Sequence, residues 1–191
     1  PWTVATFMIE GKVTPTKEQA KRFAYEQPDA MADLLKALVE SSAEYLIRQA
    51  QAGADALKIF ESWAEGLSPD LFDRLVIHPT ADIVAKIRAA GVEVPIIGFP
   101  RGAGLNAVRY AHDPGIDAIA TGTDVPLDDF RATIPDGMPV QGNLDPLALR
   151  TGGAVLTRAV KQVLRDGAAG PHIFNLGHGV TPDVQIDDVH A

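Results

Sequence analysis

The chain has 191 residues, 46% of them hydrophobic and 22% charged, with a formal charge of -8 and a pI near 5.0. That length and balance predict one globular domain with a buried core and exclude a disordered chain. An acidic surface with no basic run longer than two residues excludes a nucleic-acid or anionic-membrane binder, and no apolar stretch approaches the ~20 residues of a membrane span.

Taken in order, WTVATF (2 to 7) is apolar and β-branched and is expected to be a strand. A helix follows, because Met31, Leu34, Leu35, Leu38, Val39, Leu46 and Ile47 share one helical face and the run stops at Gly53. ALKIF (56 to 60) is the second expected strand, and Ser68-Pro69 then supplies an N-cap with proline at the first helical position. Thr80 is expected to cap a further helix that stops at Gly91. The strands VPIIGF (94 to 99), DAIAT (117 to 121), PVQGN (139 to 143) and HIFNL (172 to 176) complete a set of six, and Asp145-Pro146 and Thr181-Pro182 repeat the cap-plus-proline signal.

Near-continuous apolar strands alternating with helices predict a parallel α/β sheet covered by helices. No strand leads into GxGxxG, so a closed barrel is favoured over an open dinucleotide-binding sheet. A whole (β/α)₈ barrel takes ~250 residues and eight strands. The reading is therefore one incomplete domain over residues 1 to 191: a partial TIM barrel of about six βα units with the first two missing. The start without Met and the stop at DDVHA fit a cut chain. Zero Cys removes any disulfide or thiolate metal site and fits a cytoplasmic protein.

Barrel chemistry sits at the C-terminal ends of strands. The residues there are Phe7, Glu61-Ser62, Arg101, Thr121 to Thr123, Asn143 to Asp145, and Gly177-His178. Arg101, directly after a strand and among glycines, is a candidate carboxylate clamp or a solvated surface arginine. Ser62 is a hydroxyl donor or a strand-end cap. Glu61 is read as a structural partner, since a carboxylate beside an anionic ligand is unfavourable. Asn143 and Asp145 are expected to shape a loop, Asp145 as a cap before Pro146. His178, fenced by Gly177 and Gly179, either reaches a ligand or bonds a loop carbonyl. The remaining histidines are read as surface or turn residues, and Trp2 and Trp63 as packing or pocket-lining rings.

PWTVATFMIEG, LKIFESWAEGLSP, VPIIGFPRGAG, VQGNLDPLAL and HIFNLGHGVTPD, in that order, resemble the central and C-terminal part of the uroporphyrinogen decarboxylase family. The resemblance implies a (β/α)₈ barrel, usually a homodimer, that converts uroporphyrinogen III to coproporphyrinogen III by decarboxylating four acetates, with no metal or organic cofactor. It implies a catalytic role for His178 in NLGHG and a substrate contact for Ser62 in IFES. The glycines beside His178 are expected to let the tetrapyrrole approach the backbone. Phe7 stands where the family generally has a tyrosine, so it keeps a substrate-facing ring and loses the hydroxyl. Gly122 and Thr123 stand where relatives commonly have Asp and Trp. The family's arginine-rich segment and catalytic aspartate lie before the PWT run, so this chain alone is expected to be inactive. Two other readings stay open: a barrel methyltransferase of the same superfamily, against which zero Cys argues, and a non-catalytic tetrapyrrole-binding protein.

Overall fold

The computed structural model describes residues 1 to 190 as two compact units, one running from Pro1 to Asp117 and the other from Ala118 onward.

The first unit opens with α1 (Trp2–Glu10), which corrects the strand expected over residues 2 to 7. Trp2, Ala5 and Thr6 are fully buried and Glu10 nearly so, the i, i+3, i+4, i+8 spacing of a helical stripe. Its first turn is satisfied from far away in sequence. The buried Glu61 carboxylate accepts the backbone N–H of Trp2 at 2.9 Å, the N–H of Thr3 at 2.8 Å and the Thr3 hydroxyl at 2.8 Å. A carboxylate on exposed N–H groups at a helix start relieves both missing hydrogen bonds and the positive dipole end. Gly11, at φ 66, closes the helix by donating its N–H to Phe7 O. Glu10 repeats the device for α2 (Glu18–Glu26), accepting the Ala20 N–H at 3.0 Å.

The long helix α3 (Pro28–Gln51) buries Met31, Leu35, Val39, Ala43 and Leu46, the stripe read from the sequence. Strand β1 (Leu57–Glu61) follows, and Ser68 caps α4 (Pro69–Phe72) by accepting the Leu71 N–H at 3.3 Å. A π-helical turn, Asp73–Ile77, joins α4 to α5 (His78–Ala89). Pro79 explains it: without an N–H, and with a ring that crowds the carbonyl four residues back, proline cannot sit in an undisturbed α-ladder. Thr80 therefore lies inside a continuing helix, fully buried, and is not the N-cap expected. It accepts a long hydrogen bond from Tyr110 Oη at 3.5 Å. Burial drives the Tyr110 phenol pKa well above its ordinary value. Helix α5 packs on α3.

Strand β2 (Ile96–Pro100) pairs in parallel with β1, Leu57 opposite Ile96 through Glu61 opposite Pro100. Helix α6 (Asn106–His112) lays Tyr110 against Gly98, where a Cβ would fall 2.4 Å from Tyr110 Cε1, so that strand position admits only glycine.

In the second unit β3 (Ala118–Ala120), β4 (Val140–Leu144) and β5 (His172–Leu176) lie side by side, all parallel, with Ile119 opposite Val140 and Val140 opposite His172. Helices α7 (Leu127–Arg131), α8 (Pro146–Thr151) and α9 (Gly153–Gly167) connect them; α7 and α9 pack on β4. Asp145 caps α8 as expected, accepting the Leu147 N–H at 2.8 Å. Thr181-Pro182 opens a turn, with Val184 N–H donating to Thr181 O at 3.2 Å, and the short α10 (Ile186–His190) begins later than that signal implied. The result is an α/β fold with parallel strands. Five of the six expected strands are present among the described residues. No helix among them is long and apolar enough to cross a membrane.

Candidate functional site

In the first unit the ends of β1 and β2 bring two expected residues together. Glu61 and Pro100 are paired, so Ser62 and Arg101 leave adjacent strands at the same level, and the Arg101 N–H donates to Glu61 O at 3.1 Å. Ser62 is half-buried, and its hydroxyl has no protein partner among the described residues, which removes the strand-end-cap reading. Arg101 is also half-buried, its Nε is fully enclosed without an acceptor, and no carboxylate among the described residues pairs with its guanidinium. A hydroxyl and a guanidinium side by side, both unsatisfied by the protein, form a donor set for a carboxylate.

Phe7 reaches this region from α1, not from a strand end. Its ring lies 4.0 Å from that of Trp63, centroid to centroid, and it is 44% exposed. Trp63 is held in turn by Trp2, whose indole N–H donates to Trp63 O at 2.9 Å. Trp2 is thus core packing, while the Trp63 ring meets that of Phe7. Glu61, committed to the start of α1, is the structural partner expected and is out of play as an acid.

Sequence reasoning missed the cation behind this wall. Lys17 is buried, takes a left-handed backbone at φ 50, pairs with Glu65 Oε1, and places Nζ 5.4 Å from the Trp63 ring centroid. The run TPTKEQ carries no periodic or capping signal that marks its lysine as buried.

His178 stands in the second unit, just past β5. It is exposed, and its Nδ1 accepts the Gly179 N–H at 2.5 Å. The bond uses a backbone donor, not the loop carbonyl considered above, and it fixes the chemistry of the neutral ring: Nδ1 is an acceptor, so the proton sits on Nε2. Gly177 has a packing reason of its own. Its N–H donates to Leu144 O at 2.9 Å, and a Cβ there would lie 2.6 Å from Thr123 N and 3.0 Å from Gly122 C. The bare glycine lets this strand end press onto the backbone of residues 122 and 123. Asn143 shapes that loop as expected, donating Nδ2 to Gly122 O at 2.9 Å and to Val125 O at 2.6 Å. His172, read as a surface or turn residue, is half-buried and donates Nε2–H to Gly142 O at 2.7 Å.

A family model described as uroporphyrinogen decarboxylase (URO-D) matches residues 1 to 191. The chain belongs to the uroporphyrinogen decarboxylase family. Relatives named uroporphyrinogen decarboxylase agree with that. The Maricaulis maris protein is 52% identical over 189 residues, covering 99% of this chain and 55% of its own length. The Phenylobacterium zucineum protein is 50% identical, covering 99% and 54%, and the Caulobacter vibrioides protein 48% identical, covering 100% and 54%. The chain spans about half the length of the curated relatives it matches.

Proposed function

We propose that this chain works within an enzyme that decarboxylates the acetate side chains of uroporphyrinogen III to give coproporphyrinogen III, on a partial (β/α)₈ barrel and in a homodimer. The observation that carries the reading is the family match along the whole chain; the unpartnered Ser62 hydroxyl and Arg101 guanidinium at neighbouring strand ends support it.

The chemistry asks little of the protein beyond donors and a proton. Protonating a pyrrole at the ring carbon next to the one bearing the acetate makes that ring cationic. The carbon–carbon bond to the carboxylate then breaks, carbon dioxide leaves, and the bonding pair moves into the ring. Protonation of the resulting exocyclic methylene, and loss of the proton first added to the ring carbon, leaves a methyl group on a neutral pyrrole. The protein stabilises charge and places the proton. In this scheme Arg101 and Ser62, at neighbouring strand ends of the first unit, hold substrate carboxylates; in the second unit His178 presents Nε2–H as a donor. No step calls for a metal or an organic cofactor.

The test is a comparison of His178→Ala and Arg101→Leu with the parent in the intact protein, supplied anaerobically with uroporphyrinogen and read by chromatography of the oxidised porphyrins. His178→Ala is expected to lower turnover by roughly a hundredfold, and Arg101→Leu to raise KM more than it lowers kcat. Unchanged kinetics in both would remove these residues from the site. Tight porphyrinogen binding without loss of carboxyl groups in the parent would favour the binding-protein reading, which the missing hydroxyl at Phe7 makes worth separating.

A further inference from the structure

The second unit contains a connection between Asn143 and His178 that the catalytic scheme does not use. Residues 122 to 125 form a turn in which Val125 N–H donates to Gly122 O at 3.3 Å. Asn143, on β4, gives its amide to both ends of that turn, Gly122 O at 2.9 Å and Val125 O at 2.6 Å. Gly177 then seats on the clamped backbone, tied at its own N–H to Leu144 O at 2.9 Å, with room for no side chain between it and Thr123 N. His178 is the next residue, and its ring is oriented by the N–H of Gly179.

We propose that Asn143 is a positioning residue for His178, holding the 122 to 125 turn as the seat on which Gly177 rests and so setting the place and tautomer of the imidazole. The inference rests on the reading of His178 as the donor to substrate. Only an amide at this position can do the work: Nδ2 carries two protons for two carbonyls, whereas a carboxylate of the same shape turns oxygen toward both and repels them.

The experiment is Asn143→Asp in the intact protein, with two readouts. The ¹⁵N shifts of the His178 imidazole are expected to show the Nε2–H tautomer in the parent and a mixture of both tautomers in the variant. Turnover of uroporphyrinogen is expected to fall roughly ten- to a hundredfold in kcat with a smaller change in KM, and to recover partly as the pH is lowered and the new carboxyl regains a proton to donate. Adding His178→Ala to Asn143→Asp should cost little more than His178→Ala alone, because both act through one ring. Unaltered tautomer populations in a folded variant would overturn the proposal, as would losses that multiply in the double variant. If Asn143→Asp does not fold, Gly177→Ala, which keeps the clamp and spoils its seat, is held to the same two readouts. Failure of the parent to decarboxylate would defeat the functional reading and leave the tautomer test of Asn143 standing.

Discussion

Glu61 illustrates what one side chain decides. It is fully buried, lies next to a proposed substrate contact, and by type could serve as an acid, yet three donors at the start of α1 claim its carboxylate. Removing it strands the Trp2 and Thr3 N–H groups in the interior. Glu61→Ala is expected to cost about 2–4 kcal/mol in unfolding free energy by denaturant titration. Glu61→Gln, which turns one donor toward those N–H groups, should fall between the two. At Phe7 the expectation runs the other way: Phe7→Tyr adds a hydroxyl to a ring that is 44% exposed, so stability should hold within about 0.5 kcal/mol, and any change belongs to turnover. That Ser62, Arg101 and His178 lie just past strand ends was legible from the apolar runs before them. The reason for Gly177 was not, because its neighbours are Gly122 and Thr123, more than fifty residues earlier in the chain.

Among the elements, two helix starts with a complete local signal came out as read. Asp145-Pro146 and Ser68-Pro69 start helices because the cap and its acceptor geometry lie within three residues, and Asp145→Ala should destabilise by about 1 kcal/mol. The residues of α1 misled for the opposite reason. Trp2, Thr3, Val4 and Thr6 carry β propensity, and the helix is selected by a distant carboxylate and by burial of one face, a tertiary override of local preference. Gly11, a helix-stop residue after Glu10, was the available hint. Thr80 misled because a cap-type residue close after a proline usually marks a start; here the helix passes through Pro79 by way of a π-turn. On the face of β1 and β2 that bears Phe60 and Phe99, Lys58 sets its ammonium 4.8 Å from both ring centroids, and burial lowers its pKa. A lysine with a lower pKa folded than unfolded binds fewer protons in the folded state between those two values, so stability rises with pH across that interval, toward the ordinary value of 10.5. Lys58→Met should flatten this rise in Tm measured across the alkaline range.

For the molecule as a whole, alternation of apolar runs with capped helices was enough to specify parallel strands covered by helices, since buried parallel strands read as continuous apolar segments. What stayed hidden were the contacts that set chemistry apart from scaffolding: which carboxylate caps a helix, which glycine admits a neighbouring backbone, and which arginine lacks an acid. Those depend on packing between segments far apart in sequence. The most direct test of the account is release of labelled carbon dioxide from uroporphyrinogen III carrying ¹³C in its acetate carboxyls, incubated anaerobically with the intact protein and no added metal. The account predicts that the label is released as coproporphyrinogen accumulates; full retention of label in an unchanged eight-carboxylate porphyrinogen would contradict it.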